Sequence, residues 1–254
     1  MGKWQFDFPQ PDHGPWSEAD ILKWLSSAAR AFEFECCSIG IRFPLPLTSP
    51  RISVLNNYPR AWWQRYTEKI YHAIDPSVAH CTASQRPVVW SDSLFRPAKE
   101  FWDEARSFGL RVGRAQSCRD GLGIVSMLTF SRSGEPLSAV ELASKERELR
   151  MLTECAHRLM LHAFRSRLIG EMRSALTERE VEILRWAADG KTGKDIALIL
   201  DVSLSTVRFH LKNATSKLDA GNLSGAIARA MVLDLLQGPN SSLCKGAAEK
   251  ATQP

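Results

Sequence analysis

The sequence predicts an α+β protein with two domains: an N-terminal α-β-α sandwich around an antiparallel sheet, and a C-terminal all-α domain of four helices. Two observations support this prediction. The chain has 254 residues, which is enough for two domains that each bury a core. Helical and strand-like segments alternate in its first two thirds, whereas only helical spacing of apolar residues follows. We therefore expect domains at 1–165 and 176–237, a linker at 166–175 and a disordered tail at 238–254.

The elements of the first domain follow from the spacing of its apolar residues. Ile21, Leu25 and Ala28 recur at helical spacing, so an amphipathic helix is expected at 19–32. Short segments of strand composition predict β-strands at 36–43, 51–55, 88–90, 113–118 and 122–130. Further helical patterns lie at 60–71, 98–108 and 139–165. Helices before, within and after a group of short strands predict the α-β-α sandwich.

Composition excludes several other classes of protein. No run of residues approaches the roughly 18 apolar residues that cross a bilayer, and the N-terminus lacks the apolar stretch of a signal peptide. No membrane partner is therefore expected, and the predicted location is the cytoplasm. The six cysteines contain no CxxC pair and have no histidine cluster nearby, so we expect neither a metal site nor a disulfide framework.

Local signals mark the ends of the C-terminal helices. Thr177 and Glu180 have the spacing of a capping box, and Gly190 is suited to end the helix that starts there. Thr192 and Ser203 are good N-caps for the second and third helices. The last three helices are expected at 194–200, from 203 to about 218, and at 223–236.

The third of these helices has two contrasting faces. Its core face consists of apolar residues at helical spacing, Val207, Leu211, Ala214 and Leu218. Its outer face is basic and polar, with Ser205, Arg208, Lys212, Thr215 and Ser216, and Phe209 and Asn213 alongside. Two short helices, a tight turn and a basic third helix form a helix-turn-helix that can enter the major groove of double-stranded DNA. Residues 171–237 hold nine Lys/Arg and nine Asp/Glu, so the DNA prediction depends on this face rather than on net charge.

The motifs LTxRExE, GKT, IA, STVxxH and KL between residues 176 and 218 resemble the LuxR/FixJ-type helix-turn-helix family. The resemblance implies base contacts by Arg208, Phe209 and Lys212. It implies phosphate contacts, which position the helix without specifying sequence, by Lys191, Thr206 and His210. It also implies that two such domains pair through an alanine-rich face of the last helix, Ala226 and Ala230.

The residues alone leave open whether the first domain is a phosphoacceptor receiver, an enzyme or a ligand sensor. The strand-end acidic residues and lysine of a receiver are missing from the pattern, and so is a nucleophile motif, so we predict no enzyme. Aromatic residues between 58 and 102 are typical of an apolar core but also suit the wall of a small-molecule site. Asp75 lies between apolar residues, and a buried carboxylate needs a donor such as a ligand amide.

The order YPxxWxxxY at 58–66, IDP at 74–76 and then Trp90 resembles the signal-binding domain of LuxR-type acyl-homoserine-lactone receptors. The resemblance implies that Trp62 donates to the lactone carbonyl and that Asp75 accepts from the ligand amide. It implies that Tyr58, assisted by Ser38, donates to the acyl carbonyl. It implies a wall around the lactone ring, made of Trp90, Phe101, Trp102 and Leu110. The acyl chain would be lined by Tyr66, Val78, Val125 and Met127.

Together, the two halves predict a quorum-sensing transcriptional regulator that works as a homodimer. An N-acyl-homoserine lactone would complete the core of the first domain, stabilise the dimer and present two recognition helices to a palindromic site. The lactone is a signal ligand, and no cofactor is expected. Two alternatives stay open: a first domain that binds another small molecule or only a protein partner, and a signal-independent dimerisation module that blocks other receptors.

Overall fold

A computed structural model describes residues 16–46, 48–172 and 174–236. The expected tail at 238–254 and Cys244 lie outside the described residues, as does the segment before residue 16. The chain forms two compact units, Met1–Phe164 and Arg165–Pro254. Within the described residues, no helix is long and apolar enough to span a membrane.

The elements follow one another in the order that the alternating pattern predicts. The strands are β1 (Cys36–Arg42), β2 (Ile52–Asn56), β3 (Val88–Val89), β4 (Val112–Arg119) and β5 (Val125–Arg132). The helices of the first unit are α1 (Glu18–Ala31), α2 (Arg60–Glu68), α3 (Pro76–Ala83), α4 (Asp92–Phe95), α5 (Lys99–Ser107) and α6 (Ala139–Gly170), with 3-10 turns at Tyr71–Ala73 and Arg96–Ala98. Those of the second unit are α7 (Glu178–Ala188), α8 (Gly193–Ile199), α9 (Leu204–Lys217) and α10 (Leu223–Val232).

The five strands form one antiparallel sheet in the order β2-β1-β5-β4-β3, which has helices on both faces. On one face α1 packs on β1, and His157 of α6 is hydrogen bonded to Ser126 of β5. On the other face α3 packs on β4 and β5. Ser38 of β1 is paired with Thr129 of β5, and the side chains of paired residues point to the same face of a sheet. Both side chains therefore lie on this second face. The predicted α+β sandwich is confirmed.

Several expected elements differ in the structure. Helix α6 runs to Gly170 rather than residue 165, so the first half of the expected linker is helical. Helix α3 was not predicted, although Asp75 caps it by accepting from the Ser77 amide and Pro76 suits its first position. Helix α10 ends at Val232 instead of 236. Asp234 there adopts a left-handed conformation with φ 63°, and the Leu235 amide donates back to the Ala230 carbonyl, which closes the helix.

The predicted caps of the second unit are present. Thr177 with Glu180 and Thr192 with Asp195 form capping boxes, and the Ser203 hydroxyl accepts from the Thr206 amide. Gly190 has φ 82°, the left-handed conformation expected after α7.

The core of the second unit includes the alanine face of α10. Ala226 and Ala230 are fully buried in a cluster with Leu184, Leu218 and Leu233. The expectation that these alanines pair two domains is therefore wrong, because their side chains already pack inside their own unit.

Candidate ligand cavity and nucleic-acid interface

A cavity of about 370 Å³ lies in the first unit between the sheet and helices α2, α3 and α5. Its wall is largely apolar and aromatic, which is typical of a small-molecule site. All twelve residues that the resemblance assigned to a ligand line it: Ser38, Tyr58, Trp62, Tyr66, Asp75, Val78, Trp90, Phe101, Trp102, Leu110, Val125 and Met127. The fold thus brings together residues that are up to 89 positions apart, since Ser38 and Met127 lie on paired strands next to one another.

One wall of the cavity is a network of aromatic rings centred on Trp62. This side chain is 2% exposed, and its ring centroid lies 5.9 Å from that of Tyr66, 6.0 Å from Tyr71 and 5.8 Å from Phe101. The Tyr71 hydroxyl donates to Glu104 of α5, which also accepts from Arg65 of α2 at 2.6 Å. These bonds connect α2, the 3-10 turn and α5 behind the Trp62 ring, so the wall is held from outside the cavity.

Asp75 is the one carboxylate among the lining residues, and it is 8% exposed. Its Oδ1 accepts from the Ser77 amide at 2.8 Å and from the Ser77 hydroxyl at 2.7 Å. Its Oδ2 accepts from the Tyr66 hydroxyl at 3.2 Å and keeps a lone pair for a further donor. Burial raises the pKa of Asp75, and the hydrogen bonds from Ser77 and Tyr66 oppose that shift. A ligand N–H would stabilise the charged form further.

Neutral polar groups surround this carboxylate. Ser38 and Thr129 face each other across β1 and β5, and both line the cavity. Neither hydroxyl forms a hydrogen bond with another described residue, and the same holds for the Trp62 indole. Burial raises the pKa of Tyr58 and of Tyr66, so both phenols are protonated donors at neutral pH. Apart from Arg42, which also lines the cavity, these donors are neutral, and Asp75 is the acceptor that carries charge.

Several lining residues were missed from the sequence. Thr129 lies two positions after Met127 on β5, so strand alternation could have identified it. Trp63 and Thr67 are four positions apart on α2 and also line the cavity, a spacing that a helix face predicts. Other missed residues continue a face that a predicted residue already marks: Gly40 and Arg42 alternate with Ser38 on β1, and Ala105 lies four positions after Phe101 on α5. The rest of the missed lining residues are Ile41, Ile52, Val54, His72, Ser77, Cys81, Thr82 and Phe95.

In the second unit, the outer face of α9 is exposed and basic. Arg208 and Lys212 are exposed, and Phe209 between them is 60% exposed. Neither cation forms an ion pair with another described residue. Lys217 of the same helix, in contrast, donates to Glu180 at 2.8 Å and so belongs to the structure of its own unit. The predicted base-contacting residues are therefore free to meet a polyanion.

The predicted phosphate contacts lie at the ends and edge of this surface. Lys191 is exposed just before α8, and Thr206 lies in the first turn of α9, with its hydroxyl 2.8 Å from that of Ser203. His210 is half-buried, and its Nδ1 is buried without a partner among the described residues. The positive charge of Lys191 near the N-terminus of α8 suits phosphate, because helix N-termini also attract anions.

Comparison with known proteins agrees with both units. Residues 17–160 match the family described as autoinducer binding domain. Residues 174–230 match the family described as bacterial regulatory proteins, luxR family. Together these matches cover most of the chain.

Similar proteins are transcriptional regulators. The transcriptional activator protein AnoR of Acinetobacter nosocomialis is 39% identical over 238 residues, which cover 93% of this chain and 100% of AnoR. A structure of SdiA from Escherichia coli in complex with octanoyl-rac-glycerol is 32% identical, with a TM-score of 0.70, and covers 89% of this chain and 92% of that one. The N-acylhomoserine-lactone-dependent LuxR-family transcription factor CepR2 of Burkholderia cenocepacia is 31% identical, with a TM-score of 0.55, and covers 61% of this chain and 90% of its own.

These matches also decide between the classes left open by the sequence. The relatives are transcriptional regulators rather than enzymes, and an autoinducer-binding domain takes a signal ligand rather than a cofactor. The chain belongs to the LuxR family of quorum-sensing transcriptional regulators, with an autoinducer-binding domain followed by a helix-turn-helix DNA-binding domain.

Proposed function

We propose that the autoinducer of this regulator is an N-acyl-homoserine lactone and that the cavity of the first unit is its binding site. The observation that supports this most strongly is the meeting of Asp75, Trp62 and Tyr58 in one largely apolar cavity. The ligand has one amide N–H and two carbonyl groups. Asp75 accepts from the amide, Trp62 donates to the lactone carbonyl, and Tyr58 with Ser38 donates to the acyl carbonyl. Each ligand polar group thereby meets a protein group of the opposite kind.

The rest of the cavity then divides between the ring and the acyl chain. Trp90, Phe101, Trp102 and Leu110 enclose the lactone ring, and Tyr66, Val78, Val125 and Met127 line the acyl chain. Thr129 is added to the polar group around the acyl carbonyl, because it is paired with Ser38 across the sheet. Neutral donors around a single carboxylate favour a neutral amide over an anionic ligand.

The second unit reads DNA through α9 in this proposal. Arg208, Phe209 and Lys212 contact base edges, while Lys191, Thr206 and His210 contact phosphates. The protein acts as a cytoplasmic homodimer on a palindromic site whose half-sites are about 34 to 36 Å apart, so that two recognition helices enter successive major grooves. Binding of the lactone stabilises the form that binds DNA.

Thermal unfolding of the full chain with a panel of lactones tests this proposal. Butanoyl, octanoyl and dodecanoyl homoserine lactone are added separately, with ring-opened octanoyl homoserine as the matched control and octanoyl glycerol as a competing ligand class. At a hundredfold excess over Kd, a bound lactone raises the unfolding midpoint by about 5 to 10 °C, and the ring-opened control does not. If none of the lactones shifts the midpoint, the proposal is contradicted. If octanoyl glycerol alone shifts it, the autoinducer is an acylglycerol rather than a lactone.

A further inference from the structure

We infer that Gly113 is a positioning residue for the head-group end of the cavity: the space left by its missing side chain holds the indole of Trp90. Gly113 lies on β4 and is buried. Trp90 follows β3, and its backbone amide donates to the Gly113 carbonyl at 2.8 Å, so the two residues lie opposite each other at the edge of the sheet. The effect on ligand binding rests on the proposed function, whereas the contact itself does not.

The distances leave no room for a side chain at this position. A Cβ at residue 113 would lie 2.4 Å from Cδ2, 2.4 Å from Cε3 and 2.9 Å from Cε2 of Trp90. All three atoms belong to the fused ring system, which moves as one rigid unit. An alanine here therefore displaces the whole indole rather than one flexible atom, and such overpacking is costly in a dense core.

The indole of Trp90 has no hydrogen bond to a described residue that would hold it in place if a side chain at position 113 displaced it. Its Nε1 is buried and has no hydrogen-bond partner among the described residues. Trp102, which lines the same cavity, has its Nε1 held by Asp92 at 2.7 Å. Among the described residues, the position of the Trp90 indole is therefore set by packing, and Gly113 supplies one side of that packing.

The other neighbours of Trp90 direct where a displaced indole can go. Phe95 and Trp102 pack edge-on against it, with ring centroids at 5.9 Å and 6.0 Å, and Phe95 and Trp102 are themselves stacked at 4.4 Å. Because these rings are packed against each other, the free space available to the indole is the cavity. That space is the part assigned to the lactone ring, so a larger residue 113 would act on head-group recognition.

A second glycine of the sheet provides a matched control. Gly40 lies on β1 and lines the cavity, but a Cβ there would lie 3.6 Å from Cγ2 of Val54, an ordinary van der Waals contact. Gly40→Ala and Gly113→Ala make the same chemical change on strands of the same sheet. They differ in whether the new methyl group displaces an aromatic wall.

Affinity measurements on the full chain test the inference with two ligands of equal acyl chain. One is the lactone that stabilises the unmodified protein most, and the other is the corresponding N-methyl amide, which lacks the ring. Gly113→Ala should weaken lactone binding about tenfold or more and should weaken N-methyl amide binding much less, because only the lactone needs the space beside Trp90. Gly40→Ala should leave the ratio of the two affinities unchanged. Equal losses for both ligands, or equal effects of the two glycine substitutions, would overturn the inference.

A double-mutant cycle with Trp90→Ala separates positioning from general damage. This substitution removes all three atoms that the new methyl group would meet. In the Trp90→Ala background, Gly113→Ala should change lactone affinity by no more than about twofold. It should leave the unfolding midpoint of the unliganded chain unchanged within experimental error. An undiminished effect of Gly113→Ala in that background contradicts the inference. If the unmodified protein binds no lactone, the proposed function fails, and the unfolding cycle still decides whether Gly113 acts through Trp90.

Discussion

The cavity of the first unit and the outer face of α9 place polar groups in opposite environments. Asp75 and Trp62 are buried among aromatic rings, where a few polar groups face space that only a ligand can fill. Arg208 and Lys212 lie in open solvent on one helix. A mismatch in the cavity leaves a desolvated group unpaired, whereas a lost contact on α9 returns a cation to water. Loss of the buried charge in the cavity should therefore have a larger and less salt-dependent effect than loss of one exposed charge on α9.

The largest effect is expected for Asp75→Asn. The asparagine keeps an oxygen for the cap of α3 but turns an N–H toward the ligand amide, so donor meets donor. Lactone affinity should fall about a hundredfold, measured by titration of the purified full chain. Asp103→Asn on the exposed side of α5 is the control and should have no effect on this affinity. An affinity near that of the unmodified protein would mean that Asp75 does not accept from the ligand.

Arg208→Ala should reduce discrimination between the specific site and unrelated DNA about tenfold or more, because a bidentate contact to guanine is lost. Lys191→Ala is the matched charge-neutralising control. It should weaken binding to all sequences about equally and reduce the slope of log affinity against log salt by roughly one unit. Identical behaviour of the two variants in fluorescence anisotropy titrations would count against the separate roles given to them.

Thr129→Val is expected to weaken lactone binding only about fivefold. The substitution keeps the shape of the side chain and removes one neutral hydroxyl that faces Ser38 across the sheet. Thr153→Val on α6 is the control, since its hydroxyl bonds to the Leu149 carbonyl and the residue does not line the cavity. Unchanged affinity in both variants would remove Thr129 from the polar group around the acyl carbonyl.

The smallest effect concerns pH. Burial raises the pKa of Asp75 above its ordinary value, so the native state binds this proton more tightly than the unfolded chain does. The contribution of Asp75 to the stability of the unliganded protein should rise as pH falls through the raised pKa. Lactone affinity should fall over the same range, because the amide prefers the carboxylate. Asp75→Asn should remove both dependences; if both slopes persist in this variant, other groups cause them.

The two regions also differ in how far the sequence could predict them. The caps at Thr177, Thr192 and Ser203 and the two faces of α9 depend on spacing within a few residues, and the structure has them as predicted. The cavity depends on the pairing of distant strands. Spacing alone could not bring Ser38 and Met127 together, and only the family resemblance supplied that prediction. His72, which lies in a 3-10 turn, follows no spacing that connects it to the other lining residues.

The ends of α6 and α10 show a second limit of local prediction. The stretch after residue 165 is polar in sequence, yet Arg165 donates to the Val232 carbonyl and Leu168 packs against the core of the second unit. These contacts stabilise additional helical turns of α6 that its own composition does not predict. Tertiary packing in this region outweighs the local signal.

In the proposed function, occupancy of the cavity controls DNA binding by α9. The most direct measurement is the affinity of the full chain for a palindromic duplex, enriched from a random library by the lactone-bound protein, with and without the lactone. We expect tight, salt-sensitive binding only with lactone, and no response to lactone in Asp75→Asn. Equal affinity in the presence and absence of a lactone that is shown to bind the protein would contradict it.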